Sequence, residues 1–152
     1  MFLVKGDSGF VCIDAGQNIE VIREGLAELN VPCDAITAVL LTHADADHTG
    51  ALALFPQAEL FLSEGESRIL KGEASRFLGI KSVTDLGAYT PLSDGQVLRF
   101  GNVEVQCIST PGHTVGAMSY LVNGNVLIAL LHIDQHPSCL DLYPQLLFML
   151  RG

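Results

Sequence analysis

The pattern of apolar and polar positions over the first thirty residues predicts a β-hairpin followed by an amphipathic helix. Two short, mainly apolar runs, 2–5 and 10–13, flank a Gly-Asp-Ser-Gly turn that is typical of hairpins. Segment 18–30 then repeats apolar residues at helical spacing, with charged residues on the other faces; they are Ile19, Ile22, Leu26 and Leu29. We expect Asn30 and Pro32 to end this helix.

The next apolar run contains almost no polar residues. Residues 35–42, AITAVLLT, are typical of a strand buried on both faces. Residues 49–55 predict one or two helical turns that Pro56 ends, and residues 58–63 predict another short strand. Residues 64–80 carry mixed charge and predict a helix.

Two further pairs of strands are predicted in the last third of the chain. One pair is joined by a Gly101–Asn102 turn, and its second strand alternates apolar and polar residues. The other is a hairpin around Asn123–Gly124. This order predicts an α/β (α+β) fold over residues 1–152 as a single domain, with a mixed β-sheet flanked by helices. Residues 130–152 depart from the pattern as an atypical tail with weak periodicity.

The amino-acid composition and the net charge limit the kinds of partner and the cellular location that we expect for this protein. Hydrophobic residues make up 49% of the chain and charged residues 16%, which indicates a globular protein. No apolar run reaches the roughly 18–20 residues of a membrane span. The formal net charge of −9 argues against nucleic acid and anionic membrane surfaces and favours cations. We see no secretory signal and no CxxC pair among the four cysteines, so we expect a cytoplasmic protein without disulfides.

The six residues HADADH, 43–48, hold four potential metal ligands directly after a predicted buried strand: His43, Asp45, Asp47 and His48. Imidazole nitrogen and carboxylate oxygen together suit zinc, iron or manganese. On a straight helix these side chains would not share a face, whereas a tight loop can turn all of them inward, with Gly50 allowing close approach behind it. The alternative is a helix-capping aspartate beside two exposed histidines, which leaves the pairing of the histidines unexplained.

Two more candidates stand at strand ends. His113 lies in STPGHTVG, residues 109–116, after the alternating strand. A lone loop histidine is usually structural, but the cluster elsewhere in this chain favours a ligand. Asp14 follows the second strand, and it is either a turn-initiating residue or a group that supports a metal ligand.

These segments resemble the metallo-β-lactamase fold superfamily of metal-dependent hydrolases. The family signature H-x-H-x-D-H is matched by HADADH except at one position, TPGHT at 110–114 resembles its next histidine segment, and FVCIDAG at 10–16 resembles its early strand. The resemblance spans roughly residues 2–129. It implies an αββα sandwich, mainly its first half, in a chain apparently truncated at the C-terminus.

The resemblance also implies a chemistry. One or two Zn²⁺ ions, with iron or manganese as substitutes, would activate a water against an ester, thioester or amide-type small-molecule substrate. His43, Asp45 and His113 would hold the first ion, and Asp47 and His48 the second. Asp47 would also be the catalytic general base. Glyoxalase II-like thioester hydrolysis is the nearest specific reaction.

The chain departs from the family in its ligand set. Asp45 stands where the family has a second histidine, which favours iron or manganese and keeps open a flavodiiron-like di-iron redox site. The expected bridging aspartate is replaced by Leu130 or Leu131, and the ligands that could restore it are His132, Asp134 and His136.

The short chain leaves one further alternative. It could be a catalytically inactive remnant of the fold that binds metal weakly or not at all. An incomplete second half would leave apolar sheet surface uncovered, which predicts homo-oligomers through that surface.

Overall fold

The computed structural model describes residues 1–74 and 85–128 of the 152-residue chain. These residues form two β-sheets with helices on one side. The strands are β1 (Phe2–Gly6), β2 (Gly9–Ile13), β3 (Ile36–Leu40), β4 (Glu59–Ser63), β5 (Thr90–Leu92), β6 (Val97–Phe100), β7 (Val103–Ser109), β8 (Met118–Val122) and β9 (Val126–Ile128). The helices are α1 (Ile19–Glu28), α2 (Ala46–Thr49) and α3 (Glu64–Leu70), with 3₁₀ turns at Cys33–Ala35 and Leu52–Leu54.

The first sheet is mixed and has the strand order β1-β2-β3-β4-β5. β1 and β2 form an antiparallel hairpin, whereas β2, β3, β4 and β5 run parallel to one another. Parallel strands need crossover connections, and α1 supplies one of them between β2 and β3. Because β2, β3 and β4 point the same way, the segments that follow them meet at one edge of the sheet.

The second sheet is antiparallel, in the order β6-β7-β8-β9. The alternation predicted from the sequence is present in β7, where Val103, Val105 and Cys107 are buried while Glu104 and Gln106 are exposed. The buried residues of both sheets form one core between them; those of the first sheet are Val11, Ile13, Ala38, Leu40, Phe61 and Leu92, and those of the second are Val103, Val105, Cys107, Met118, Tyr120, Val122 and Ile128.

The helices pack on the outer face of the mixed sheet. Leu26 of α1 is buried there among Cys12, Val39 and Leu41, and Leu70 of α3 packs against the same cluster. The side chain of Asn18 accepts a hydrogen bond from the Val21 amide and caps α1. Within the described residues, helix, mixed sheet and antiparallel sheet therefore form three successive layers. None of the helices in this part of the chain has the length and apolarity to span a membrane.

The sequence predicted most of these elements. A mixed sheet flanked by helices and both hairpins are confirmed. The helix predicted over 64–80 is wrong at residues 71–74, where the chain turns and bends after Leu70 and Gly72 takes a left-handed conformation with φ 73°. Residues 75–80 of that prediction lie outside the described residues. The three-residue strand β5 was not predicted, since so short a run carries no periodicity.

Apolar side chains remain exposed where the two sheets end side by side. Phe2 of β1 is 56% exposed and Val126 of β9 is 50% exposed. An open groove of about 620 Å³ runs between these strands, with Val4, Val122 and Ile128 also in its walls. Self-association through such a surface stays a prediction.

Candidate metal centre

The candidate site lies at the edge where the parallel strands end. Asp14 follows β2, the segment 41–45 follows β3, and α3 follows β4. The loop 110–117, which carries His113, comes from the antiparallel sheet and is fastened to the same edge. Its neighbour Met118 donates a backbone hydrogen bond to the Thr42 carbonyl at 2.9 Å. The buried Tyr120 hydroxyl donates to the Leu41 carbonyl at 2.6 Å.

Three imidazole rings come together here, two from the segment 43–48 and one from the loop 110–117. The ring centroids of His43 and His48 are 4.0 Å apart, and those of His43 and His113 are 4.9 Å apart. Asp45 Oδ2 lies 3.5 Å from His43 Nε2 and 3.0 Å from His113 Nε2. One donor atom each from His43, Asp45 and His113 therefore falls within 4.8 Å of the others.

A second group of potential metal ligands lies beside the first and shares His43 with it. Donor atoms of His43, Asp47 and His48 also lie within 4.8 Å of one another. His48 Nε2 is 3.3 Å from Asp47 Oδ2, and the Asp47 side chain is 61% exposed. The structure thus brings together all five residues singled out from the sequence as ligands, with His43 common to both groups.

The local backbone differs from the predicted loop. Residues 46–49 form the one-turn helix α2, in which the Asp45 carbonyl accepts hydrogen bonds from the His48 and Thr49 amides. The prediction of a loop through 43–48 is therefore wrong for its second half. Gly50 does allow close approach, since a Cβ there would overlap the Gln17 carbonyl.

The helix-capping alternative does not describe this cluster. Asp45 occupies the N-cap position of α2, but its side chain makes no capping hydrogen bond. Its carboxylate points instead to His43 and His113. Nor are the histidines of the cluster exposed, because His43 is 1% and His48 16% accessible.

Neighbouring side chains fix which ring nitrogen faces the cluster. The Thr42 hydroxyl donates to the Asp14 carboxylate at 2.9 Å and lies 3.0 Å from His43 Nδ1. A hydroxyl has one proton, so its oxygen accepts from the Nδ1–H of His43. His48 Nδ1 donates to Asp14 Oδ2 at 2.8 Å. In both neutral rings the Nε2 lone pair is consequently turned toward the carboxylates, which is the arrangement that a cation requires.

Asp14 is accordingly a supporting residue in geometry, and it belongs to neither three-residue group. It is buried, with 4% of its surface exposed, and its Oδ1 also accepts the Thr42 backbone N–H at 2.8 Å. The sequence left its role open between a turn residue and a support for a ligand. Its contact with His48 favours the support.

Burial and charge push the pKa values of the two neighbouring histidines apart. Burial, helped by His48, lowers the pKa of His43 from 6.5 to about 4. Burial also opposes protonation of His48, but the hydrogen bond and the charge of Asp14 outweigh it and raise the pKa of His48. At neutral pH His43 is therefore neutral and able to bind a cation, whereas a proton competes for His48.

We expect an NMR titration of the metal-free protein to show this order directly. The ring signals of His43 should move only near pH 4, and those of His48 should move above pH 6.5. Because unfolding returns the His43 pKa to its ordinary value, the folded state should lose stability as the pH falls from 6.5 toward 4. A His43 ring that protonates before His48 would contradict the geometry described above.

The donor atoms of the cluster are of the kinds that bind a metal ion. Each group combines imidazole nitrogen with carboxylate oxygen, which suits zinc, iron or manganese. In the neutral state the His43 lone pair faces the Asp45 carboxylate at 3.5 Å, and two such acceptors repel each other without a cation or proton between them. The residues present therefore fit a metal ion.

Sequence reasoning missed one buried acid beside this cluster. Glu66 in α3 is fully buried, and its Oε2 accepts the Ala44 backbone N–H at 3.0 Å. An acidic residue in the first turn of a helix is common at exposed positions, so nothing in the local sequence indicates that Glu66 is buried. The suggested replacement ligands His132, Asp134 and His136, with Leu130 and Leu131, lie outside the described residues.

Comparison with known proteins identifies the surrounding fold. The family model for the Metallo-beta-lactamase superfamily matches residues 1–129. A solved metallo-beta-lactamase from Cronobacter sakazakii, a variant of its HARLDQ motif, is 28% identical, with a TM-score of 0.61 over 79% of this chain and 51% of that chain.

Two curated relatives carry names that describe a reaction. The probable polyketide biosynthesis zinc-dependent hydrolase BaeB of Bacillus velezensis is 27% identical over 76% of this chain and 46% of its own length. The hydroxyacylglutathione hydrolase of Shewanella oneidensis is 31% identical over 73% of this chain and 42% of its own length. The chain spans about half the length of the curated relatives it matches.

Proposed function

Because this chain belongs to the metallo-β-lactamase superfamily, we propose that it is a metal-dependent hydrolase of an ester, thioester or amide-type bond in a small molecule. The observation that carries the proposal is the convergence of two groups of nitrogen and oxygen donors on one cluster. Both groups lie at the carboxyl ends of the parallel strands of the mixed sheet, which is where ligands bind in open α/β sheets.

The proposed ligand assignment follows the two groups. His43, Asp45 and His113 would hold one ion, and Asp47 and His48 would hold a second. Zinc is the proposed metal, because the name of one relative describes a zinc-dependent hydrolase. When bound, zinc lowers the pKa of water toward neutrality and polarises a carbonyl group.

The side chains around the proposed metal ions have two roles: they orient the ligands, and they accept a proton. Thr42 and Asp14 hold the rings of His43 and His48 in one orientation. Asp47 is the only proposed ligand whose side chain is mostly exposed, at 61%, so its carboxylate is accessible to a substrate from solvent. We assign it the role of general base, which takes the proton of the attacking water.

A thioester is the proposed substrate class. The support is the hydroxyacylglutathione hydrolase among the relatives, whose name describes a glutathione conjugate. A net charge of −9 disfavours polyanions such as nucleic acid as substrates. A cytoplasmic location is part of the same proposal.

Metal content and turnover measured on one purified sample test this function. The chain is purified without added metal, analysed for zinc, iron and manganese, and assayed on S-lactoylglutathione and a nitrophenyl ester. One or two zinc ions per chain with hydrolysis of either substrate support the proposal. Less than half an ion per chain, without activity after zinc is added, supports the inactive remnant. Two irons with a redox-dependent absorption change support the di-iron alternative.

Asp45→His is expected to tighten zinc binding by about tenfold, because it replaces a carboxylate oxygen by the softer nitrogen that zinc prefers. Competition with a chromophoric chelator measures the affinity. Asp34→His is the matched control, since Asp34 is exposed in a 3₁₀ turn away from the cluster. Zinc affinity in Asp45→His equal to that of the Asp34→His control would show that residue 45 does not hold the metal.

A further inference from the structure

Glu66 belongs to neither group of candidate ligands. It nevertheless contacts both segments that carry the first group, the one around Ala44 and the loop that holds His113. Its carboxyl is fully buried. Oε2 accepts the backbone N–H of Ala44, the residue between His43 and Asp45. Oε1 has no hydrogen-bond partner among the described residues. Burying a carboxyl with so few partners costs stability, which indicates that the side chain has a use other than core packing.

The same turn of α3 also fixes the loop of His113. The Ser63 hydroxyl caps α3 by accepting the Glu66 N–H at 3.0 Å, and it donates to the carbonyl of Gly116. A Cβ at Gly116 would overlap the Glu66 backbone nitrogen, and a Cβ at Gly65 would come within 2.6 Å of Gly116 Cα. The loop that carries His113 therefore rests directly on the backbone of α3.

We infer that Glu66 is a positioning residue that fixes the spacing between the His43–Asp45 segment and the His113 loop. Its side chain sets the first segment through Ala44, and Ser63 with the backbone of α3 sets the second. The two segments come from different sheets, so this turn of α3 links them across the site. The inference rests on the proposed metal site, and metal binding rather than hydrolysis is the quantity that tests it.

The test compares two variants of equal length. Glu66→Gln keeps an oxygen that can accept the Ala44 N–H, whereas Glu66→Met fills the same space without an acceptor. Cobalt(II) is the probe, because its visible absorption reports the geometry of its ligands. The exposed neighbour Glu64 provides the matched control as Glu64→Gln.

We expect Glu66→Gln to bind cobalt within about threefold of the unmodified chain and to give the same spectrum. Glu66→Met is expected to bind 10- to 100-fold more weakly, with a shifted visible band, as for other residues that orient a ligand. Glu64→Gln should change neither property. Equal affinity and spectra in Glu66→Met, or an equal loss in Glu66→Gln, would overturn the inference.

Ser63→Ala tests the same link between the two segments if Glu66→Met does not fold. Ser63→Ala removes both bonds of this hydroxyl, the one to the Gly116 carbonyl and the cap on the Glu66 N–H, and leaves the Glu66 carboxyl in place, so it too should weaken cobalt binding. Unchanged cobalt affinity in Ser63→Ala would overturn the inference that α3 connects the two segments. Failure of the unmodified chain to bind cobalt would overturn it as well. Cobalt binding with these effects but no hydrolysis of any substrate would instead reject the proposed function and leave the role of Glu66 standing.

Discussion

His113→Ala is expected to lower the affinity for the first metal ion by at least about 100-fold, because it removes a direct ligand from a three-residue group. His113 Nε2 lies 3.0 Å from Asp45 Oδ2, and its ring stands edge-on to that of His43. The variant keeps only His43 and Asp45 of that group. Chelator competition measures the loss, and hydrolysis should fall with it.

Val115→Ala is the matched control for this prediction. Val115 lies two residues away in the same loop, is 56% exposed and offers no donor atom. Its replacement should leave affinity and stability unchanged. If His113→Ala binds zinc as tightly as Val115→Ala does, the loop of the antiparallel sheet takes no part in the site.

Asp47→Asn is expected to reduce kcat/KM on a thioester by about 10²- to 10⁴-fold, the usual contribution of a general base. The amide keeps the shape of the carboxylate but cannot take a proton from water at neutral pH. Because the Asp47 side chain is 61% exposed, the free energy of unfolding should change by no more than about 0.5 kcal/mol.

Asp34→Asn makes the same chemical change at an exposed position outside the cluster and should have no effect on the rate. Zinc content must be measured beside the rate, since Asp47 is also a proposed ligand. Full activity in Asp47→Asn at full zinc content would assign proton transfer to another group.

The sequence predicted the elements whose signal is local. The hairpin turns at Gly6–Gly9 and Asn123–Gly124 carry turn residues between apolar runs, and both hairpins are present. The helix at 18–30 was found from its spacing alone, and it spans Ile19–Glu28. The end of α3 was missed because only the backbone shows that Gly72 adopts a positive φ.

The candidate site also combines residues that the local sequence indicates with one residue that tertiary packing brings in. Four potential ligands within 43–48 are visible in any reading of the chain, and their residue types suggest a metal. That His113 joins them depends on the packing of two sheets. The sequence pointed to His113 only indirectly, through its place after a predicted strand in a chain with a ligand cluster elsewhere, and through the resemblance to a family. The structure places the ring beside His43 through Met118 and Tyr120, which fasten β8 to the end of β3.

The burial of Glu66 is a feature that the sequence alone does not predict. Its burial results from a contact between α3 and the loop 110–117, in which Gly65 and Gly116 allow the two backbones to approach. No local pattern distinguishes this glutamate from its exposed neighbour Glu64. The contact is a property of the tertiary structure.

We propose that His43, His113 and the neighbouring acids hold a common cation. Anomalous diffraction at the zinc absorption edge, from crystals of the zinc-loaded chain, would locate that cation. We expect a peak about 2.0–2.2 Å from a nitrogen of His43 and a nitrogen of His113, beside Asp45. A zinc peak bound elsewhere, or none near these rings at saturating zinc, would contradict it.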